Sequence, residues 1–278
     1  MSDSQAERTA QRDSQQEKFA LITGASGGIG AAFARALAAR GKRLVLVARS
    51  NDKLQALKNE IAAKHPVRTE VIVQDLSEGG AAAHLAASVR GLGIDIDLLV
   101  NNAGFGAQGE FWKVPLERQL QMLRLNIATL TELTYLFLPA MVERRAGGII
   151  NLSSTACFQP VPYTSVYAAT KAYVTSFSMA LAEEVRGYGV KVLALCPGGT
   201  ATGFFAEGGF EKIHFPGGLQ SPEDVVEVGL RALERGRTVT ATRLINRLMI
   251  FVQRLVPRRL VAQQAGNMFR PKGLRGAK

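Results

Sequence analysis

Phe19-Ala-Leu-Ile-Thr-Gly-Ala-Ser-Gly-Gly-Ile-Gly30 is the stretch that decides the fold. A short apolar strand runs into a glycine-rich turn, and the alanine-rich sequence 31–40 that follows is typical of a helix. Glycines let the backbone turn tightly and approach a pyrophosphate, which then lies at the helix N-terminus. The pattern predicts the opening βαβ unit of a nucleotide-binding sheet, with the alternative that the glycines form only a flexible strand–helix turn.

The tip of the next predicted strand, Arg43–Ala48, bears on the choice of nucleotide. An NAD site usually carries an acidic residue about twenty residues after the glycine turn, where it bonds the ribose 2′-hydroxyl. Here the corresponding residues are Arg49 and Ser50. A guanidinium group cannot accept a hydrogen bond from a hydroxyl, but it suits a phosphate. We therefore expect NADP rather than NAD, the alternative being that Arg49 is a solvated residue at a strand end.

Tyr167 and Lys171 lie four residues apart, so a helix at this position would place the phenol and the ammonium group on one face. A tyrosine with an ordinary pKa of about 10 is a poor proton donor near neutrality. A fixed positive charge nearby lowers that pKa, which suits acid–base chemistry on an alcohol or a ketone. Because Y-x-x-x-K also arises often by chance, this interpretation depends on the partners found elsewhere in the chain.

Taken together, the motifs resemble the short-chain dehydrogenase/reductase family, in its classical branch, over about residues 18–205. The resemblance rests on T-G-x-x-x-G-x-G at 23–30, N-N-A-G at 101–104 and P-G…T at 197–202. It implies a catalytic tetrad of Asn126, Ser154, Tyr167 and Lys171. Tyr167 would exchange the proton, Lys171 would lower its pKa and bond the nicotinamide ribose, Ser154 would polarise the carbonyl, and Asn126 would hold a water molecule.

The resemblance also implies a cofactor site with an acidic residue beside the adenine ring, matched by Asp75. Many NADP-using members carry a basic residue before the second glycine of the turn, whereas this chain has Gly27, so Arg49 would hold the 2′-phosphate mostly unaided. The expected cofactor-binding residues are Thr23, Gly24, Ser26, Gly28, Ile29, Gly30, Arg49, Ser50, Asp75, Leu76, Asn102, Ala103, Gly104, Tyr167, Lys171, Pro197, Gly198, Thr200 and Thr202.

Strands and helices alternate along the chain, which predicts an α/β fold: a doubly wound parallel sheet of Rossmann type, covered on both faces. We expect a loose polar N-terminus at 1–17, a catalytic domain at 18–242 with a substrate lid at about 200–220, and a basic C-terminal extension at 243–278. Strands are predicted at 19–22, 43–48, 67–73, 98–100, 148–152, 190–195 and 238–242, and long helices at 115–142 and 165–187. The site should lie at the carboxyl ends of the strands.

Aromatic residues surround the expected substrate site and few charges accompany them. We expect Phe105, Phe158, Tyr163 and Phe204 to line the pocket. An apolar carbonyl or alcohol fits such a lining better than a phosphorylated sugar does. The alternative is that these aromatics only pack a lid.

The C-terminal extension is unusual in its charge. Residues 235–278 contain eleven Lys or Arg and no Asp or Glu, so all of the chain's net charge of +11 lies in this segment. Apolar residues recur there at near-helical spacing over 244–256, with arginines interleaved, and a second helix is expected at 260–269. Such helices suit an anionic membrane surface. The alternative, which we favour, is that the apolar stripe covers the substrate site or another subunit.

These observations predict an NADP-dependent oxidoreductase that interconverts a carbonyl and an alcohol on a small apolar substrate. The alternative function is an NADP-binding sensor or interaction protein without turnover. We expect a homodimer or homotetramer in the cytoplasm, with contact to a membrane surface retained as an alternative, and no nucleic-acid partner. Cys157 and Cys196 are interpreted as reduced packing residues, and the three histidines show no metal-ligand spacing.

Overall fold

A computed structural model describes residues 18–210, 215, 217–271 and 273. The N-terminal segment 1–17, which we predicted to be loose, lies outside the described residues, as do four consecutive positions of the predicted lid, 211–214.

The described residues form a parallel sheet in the order β3-β2-β1-β4-β5-β6-β7. This order confirms the predicted doubly wound sheet, because the chain starts at the centre and winds outward in both directions. The strands are Lys18–Thr23 (β1), Arg43–Ala48 (β2), Thr69–Val73 (β3), Asp95–Asn101 (β4), Gly147–Leu152 (β5), Val190–Cys196 (β6) and Val239–Ala241 (β7).

One strand begins three residues earlier than its sequence pattern suggests. β4 starts at Asp95, whereas the apolar run begins only at Leu98. Its two acidic residues are neutralised by neighbouring cations: Arg144 Nη1 lies 2.6 Å from Asp95 Oδ2, and Lys42 pairs with Asp97. Paired charges can extend a strand at its end where an unpaired carboxylate would not be buried.

Helices cover both faces of the sheet. α1, α2 and α8 pack on one face through residues such as Phe33, Leu54 and Leu230, while α3, α5 and α6 pack on the other. Burying each large apolar side chain contributes about 1.5–3 kcal/mol. The helices are Gly28–Ala39 (α1), Asn51–Lys64 (α2), Ala81–Gly91 (α3), Leu116–Leu123 (α4), Leu130–Glu143 (α5), Ser165–Glu184 (α6), Phe204–Glu207 (α7), Pro222–Glu234 (α8), Leu244–Gln253 (α9) and Arg258–Phe269 (α10).

The helix predicted at 115–142 is interrupted by a wide turn. α4 and α5 are joined by a π-helical turn, Arg124–Thr129, which contains Asn126. Such turns are frequent at functional sites. Together, Leu116–Glu143 is the one helix in the described part of the chain that is long and apolar enough to cross a membrane by length and composition. Core helices of soluble proteins pass the same test, and Leu133, Phe137 and Met141 are buried against the sheet.

The C-terminal extension contains both expected helices, α9 and α10. α10 is attached to the catalytic domain: Ala265 and Phe269 pack with Val161 and Ala168, and the side-chain amide of Gln108 donates a 2.7 Å hydrogen bond to the carbonyl of Phe269. The extension is therefore part of the folded structure.

Candidate functional site

The predicted site residues meet at the carboxyl ends of the strands, around one cavity of about 790 Å³. The glycine turn, the tips of β2, β3 and β4, the start of α6 and the loop after β6 all line it. Of the expected cofactor-binding residues, those lining the cavity are Gly24, Ser26, Gly28, Ile29, Arg49, Ser50, Asp75, Leu76, Asn102, Ala103, Gly104, Tyr167, Lys171, Pro197, Gly198, Thr200 and Thr202.

The glycine turn is held by close backbone contacts. A Cβ at Gly30 would lie 2.2 Å from the carbonyl oxygen of Gly24, and Gly24 itself has a left-handed φ of +66°. By contrast, a Cβ at Gly27 would meet no atom within 4 Å. Within the described residues no side chain caps the N-terminus of α1. Its first N–H groups and dipole therefore suit a phosphate group.

Thr23 and Asn102 brace this turn from below. Thr23 Oγ1 accepts hydrogen bonds from the N–H groups of Asn102 (3.0 Å) and Ala103 (2.9 Å). The Asn102 side-chain amide donates in return to the carbonyls of Thr23 (2.8 Å) and Gly24 (3.2 Å). Thr23 is buried beneath the cavity surface. Its role in the motif is therefore to join β1 to β4, and it does not line the cavity. Gly30 acts similarly, by letting the turn close.

At the tip of β2, Arg49 lies in the open end of the cavity. Its Nη1 is 3.7 Å from Asp75 Oδ2, and its side chain remains 73% exposed. Burial alone would raise the pKa of Asp75, but hydrogen bonds from Ser77 and the nearby Arg49 hold it below its ordinary value. Lys53, in the first turn of α2, lines the same end. Lys53 was not predicted as a site residue, although its position in the helix that begins just after Arg49 could have indicated it.

The four predicted catalytic residues come from three parts of the fold. Ser154 follows β5, Tyr167 and Lys171 lie on α6, and Asn126 lies in the π turn. Lys171 Nζ donates a 2.7 Å hydrogen bond to the Leu152 carbonyl and lies 5.7 Å from the centroid of the Tyr167 ring. As predicted, the phenol and the ammonium group share one face of a helix.

Asn126 is held tightly beside this cluster. Its side-chain amide exchanges hydrogen bonds with the backbone of Phe105, accepting at 3.2 Å and donating at 3.0 Å, and also donates to Thr170 Oγ1 at 3.1 Å. A Cβ at Gly104 would lie 2.9 Å from Asn126 Oδ1 and 3.6 Å from Lys171 Nζ. Only a glycine fits at position 104, because a side chain there would collide with Asn126 next to Lys171.

Burial dominates the ionisation of the catalytic pair. It raises the pKa of Tyr167 to about 12, because the phenolate loses water, and a hydrogen bond from Ser154 opposes this only partly. Burial also lowers the pKa of Lys171 to about 8, while the nearby thiols of Cys196 and Cys157 oppose the shift. The phenol is thus protonated at neutral pH, and the lysine keeps most of its charge. The prediction that Lys171 lowers the pKa of Tyr167 was wrong for this structure, because burial of the phenol dominates and raises that pKa.

The two cysteines are free, with their sulfur atoms 3.9 Å apart beneath the catalytic cluster. The Cys196–Cys157 hydrogen bond, together with burial, raises the pKa of Cys196 well above its ordinary value. No group of three or more His, Cys, Asp or Glu able to hold a metal ion occurs among the residues that the structure describes.

Comparison with protein families decides the classification. A family model described as short chain dehydrogenase matches residues 18–209. The chain belongs to the short-chain dehydrogenase family. The match takes in every motif that lines the cavity, from the glycine turn to the loop after β6. It ends before α9 and α10, so the two C-terminal helices lie outside the region that defines the family.

Similar proteins within the family include enzymes and a protein named as inactive. A very-long-chain 3-oxoacyl-CoA reductase from Bos taurus is 39% identical over 189 residues, 66% of this chain and 60% of that protein. The inactive hydroxysteroid dehydrogenase-like protein 1 of Homo sapiens is 34% identical over 198 residues, 70% of this chain and 60% of that protein. The chain thus spans about 60% of the length of these two curated relatives.

Among solved structures, a short-chain dehydrogenase from Sphingobium yanoikuyae in complex with NADPH superposes with a TM-score of 0.76. It is 32% identical in sequence, and the match covers 86% of this chain and 94% of that one. The likeness extends over nearly all of the other chain, which confirms the Rossmann-type architecture.

Aromatic residues line part of the cavity of this short-chain dehydrogenase, but only two of the four expected ones are among them. Phe105 and Phe204 line the cavity, and the Phe204 ring centroid lies 5.3 Å from that of Tyr167. Three further aromatic side chains join them from the lid segment: Phe205, Phe210 and Phe215. They contact one another edge-on or tilted, with centroids 5.3–5.7 Å apart.

The other two aromatic assignments were wrong. Phe158 packs under the end of the sheet with Ala194, Cys196 and Ala241, because the short 3₁₀ turn Thr155–Phe158 directs it inward. Tyr163 has a left-handed φ of +65°, and its hydroxyl accepts a 3.1 Å hydrogen bond from Arg270 Nε. Its hydroxyl therefore bonds to the chain just after α10 rather than lining the cavity.

The remaining wall comes from α9, which the sequence analysis did not place there residue by residue. Asn246, Met249, Ile250 and Gln253 line the cavity from one face of this helix. A Cβ atom added to Gly198 would lie only 2.7 Å from Asn246 Nδ2, so α9 packs closely on the loop after β6. α9 does form a wall of the cavity, but of the apolar stripe that was predicted to cover the site only Met249 lines it, and Leu244, Leu248, Phe251 and Leu255 are exposed. Periodicity marked α9 as amphipathic, but nothing local indicated which face meets the cavity.

Proposed function

We propose that the protein is an NADP-dependent oxidoreductase that interconverts a carbonyl and an alcohol on a bulky apolar substrate. The observation that carries this proposal is the convergence of Ser154, Tyr167 and Lys171 with the glycine turn in one cavity. A bound NADPH would supply the hydride. The residues described above fit such a group: a helix N-terminus without a side-chain cap for its phosphates, and cations at the open end for its ribose phosphate.

The protein's own contribution is proton transfer and charge stabilisation. In the reducing direction, Tyr167 gives its proton to the carbonyl oxygen, and Ser154 donates a hydrogen bond to the same oxygen. A pKa raised to about 12 keeps the phenol protonated before the reaction, but it also makes the phenol a weaker acid than an ordinary tyrosine. The nearby ammonium group of Lys171 then stabilises the phenolate that remains. Asn126 holds the Phe105 backbone at the cavity wall, and we propose that it also positions a water molecule for reprotonation.

The cofactor preference follows from charge at the open end of the cavity. Arg49 and Lys53 both line this end, and the residues at the tip of β2, Ala48 to Ser50, include no carboxylate for a 2′-hydroxyl. Two cations suit a phosphate better than a hydroxyl. The structural relative with NADPH bound supports the same preference.

Arg49→Asp is expected to lower NADPH affinity by about tenfold or more and to move the preference toward NADH. The substitution removes a phosphate partner and adds a repulsive carboxylate next to Asp75. Titration of tyrosine and tryptophan fluorescence with each nucleotide measures the change. Lys58→Asp, which lies on α2 outside the cavity lining, is the control for charge alone. Equal affinity of the wild type for both nucleotides contradicts the NADP assignment.

The substrate class is inferred from the aromatic lining and from one relative. Six phenylalanines line the cavity, and the bovine relative is named as a reductase of very-long-chain 3-oxoacyl-CoA. We infer a ketone or secondary alcohol with a large apolar substituent. A panel of such ketones and alcohols, followed by the loss or gain of NADPH absorbance, tests the activity. Absence of turnover across the panel with either nucleotide argues against the enzyme.

A second function is kept because one relative is named as inactive. In that alternative, the protein binds NADP as a sensor or interaction protein and does not turn over a substrate. The presence of all four catalytic residues in one site favours the enzyme, since nucleotide binding alone does not need a proton donor. Nucleotide binding without turnover in the ketone panel is the result that selects the alternative.

We also propose that the protein forms a homodimer or homotetramer through the outer side of α4, α5 and α6. Tyr135 is 76% exposed, Leu116 is 67% exposed and Leu120 is 44% exposed. Patches of this kind on a protein surface commonly mark an interface. Leu120→Glu together with Tyr135→Glu should reduce the mass measured by light scattering to that of a monomer. Leu92→Glu, at an exposed apolar position just after α3, should leave it unchanged. A wild type that is already monomeric rejects this surface.

A further inference from the structure

α9 presents one face to the cavity and an apolar strip on the opposite side. The face with Met249, Ile250 and Gln253 closes the cavity. The other face carries residues at intervals of three or four, which places them in one strip along the helix and just past its end. Their exposed fractions are 81% for Leu244, 57% for Leu248, 60% for Phe251 and 75% for Leu255. We name these four residues the outer strip.

The outer strip is flanked by positive charge. Arg247 and Arg254 lie on α9 beside it, and Arg258 and Arg259 follow at the start of α10; all four side chains are exposed. The segment from 235 to 278 has eleven basic and no acidic residues. Large apolar side chains next to several arginines form the pattern of a helix that lies in the interface of an anionic bilayer.

Charge also argues against a second copy of the chain as the occupant. A twofold contact through the outer strip would bring the arginines of both copies to one interface, and 235–278 contains no carboxylate to neutralise them. Anionic lipid headgroups supply that neutralisation, and the acyl region receives the apolar side chains.

From these observations we propose that α9 docks on an anionic lipid surface through the outer strip, and that an apolar substrate enters the cavity from the lipid at this helix. The docking depends only on the strip and its charges. The entry of substrate rests in addition on the proposed function. α9 would then be a thin wall with lipid on one side and the aromatic substrate site on the other.

The docking is tested with the full chain and sedimented vesicles. Wild-type protein should pellet with vesicles of phosphatidylcholine and phosphatidylserine, much less with phosphatidylcholine alone, and less as salt rises, because a Debye length of about 8 Å screens exposed charges. Leu248→Glu with Phe251→Glu should reduce binding by at least about tenfold. Arg254→Ala with Arg258→Ala should weaken it by roughly fivefold for each arginine removed. Leu92→Glu should bind as the wild type does.

Three results would overturn the docking: wild-type protein that stays in the supernatant with both vesicle types at low salt, binding that the strip variant retains, or a strip variant that loses subunits while the wild type ignores vesicles. The last outcome would identify the strip as a subunit contact. NADPH titration of each variant checks that the fold persists, since the substituted side chains point away from the cavity.

Substrate entry is tested separately by kinetics. With a water-soluble ketone and no vesicles, the strip variant should keep the kcat/KM of the wild type. With a long-chain ketone held in anionic vesicles, its kcat/KM should fall about as far as its vesicle binding. Equal rates for both proteins on the vesicle-borne ketone reject entry from lipid. If the wild type turns over neither ketone, the proposed function fails while the docking result stands.

Discussion

Tyr167→Phe is expected to lower kcat by roughly 10²–10⁴-fold on any accepted substrate, because it removes the general acid and almost nothing else. The ring keeps its packing against Phe204, so NADPH affinity should remain close to that of the wild type. Steady-state kinetics and a cofactor titration measure the two effects separately. Tyr173→Phe is the matched control: Tyr173 is on the same helix, but its hydroxyl pairs with Thr131 outside the cavity.

A companion variant separates the two proposed tasks of the lysine. Lys171→Ala should reduce both kcat and NADPH affinity, because the ammonium group stabilises the phenolate and is expected to bond the cofactor ribose. A Tyr167→Phe protein that keeps most of its kcat would show that another group transfers the proton. If the Lys171→Ala protein kept the NADPH affinity of the wild type, the proposed contact between Lys171 and the cofactor ribose would be rejected, and its role in proton transfer would not.

Gly30→Ala is expected to weaken the nucleotide site and the fold together. The new methyl group would lie 2.2 Å from the Gly24 carbonyl oxygen and 2.7 Å from Asn102 Nδ2. Gly24 and Asn102 are hydrogen-bonded to each other across the ends of β1 and β4, so neither can move without breaking hydrogen bonds. We expect a loss of about 3 kcal/mol in the free energy of unfolding, and at least about tenfold weaker NADPH binding.

Gly27→Ala provides the control in the same turn. Its backbone is extended, with φ of 178°, and a Cβ there meets no atom within 4 Å. Thermal unfolding of the apoprotein should therefore show little change in its stability. If Gly30→Ala were as stable and as tightly bound to NADPH as Gly27→Ala, the close approach of Gly30 to Gly24 would not be essential to the site.

The C-terminal helices give this short-chain dehydrogenase a cavity wall from outside the matched family region. The family match ends at residue 209, whereas α9 supplies Asn246, Met249 and Gln253 to the cavity. The Nδ2 atom of Asn246 and the Oε1 atom of Gln253 are buried and have no hydrogen-bond partner in the described structure. α9 therefore shapes the cavity together with the aromatic residues of the lid segment.

The sequence alone determined that the sheet is parallel and doubly wound, where the nucleotide turn lies, and which motif residues meet in the cavity. The reason is that each of these depends on local pattern. Apolar runs separated by helices must form a parallel sheet, and the motifs follow strands whose carboxyl ends share one edge. The family resemblance assigned Gly24 and Thr202 to one site, and their positions after β1 and β6 agree with that assignment.

Only the tertiary structure decided where individual side chains point outside those motifs. Phe158 and Tyr163 are close in sequence to Ser154 and Tyr167, yet Phe158 packs under the end of the sheet and the Tyr163 hydroxyl bonds to Arg270. In the same way, periodicity showed that α9 is amphipathic, but only the folded chain shows that the face with Met249 and Gln253 closes the cavity while the apolar strip is exposed. The direction in which a side chain points is set by packing between segments that are distant in sequence, and a local sequence pattern does not contain that information.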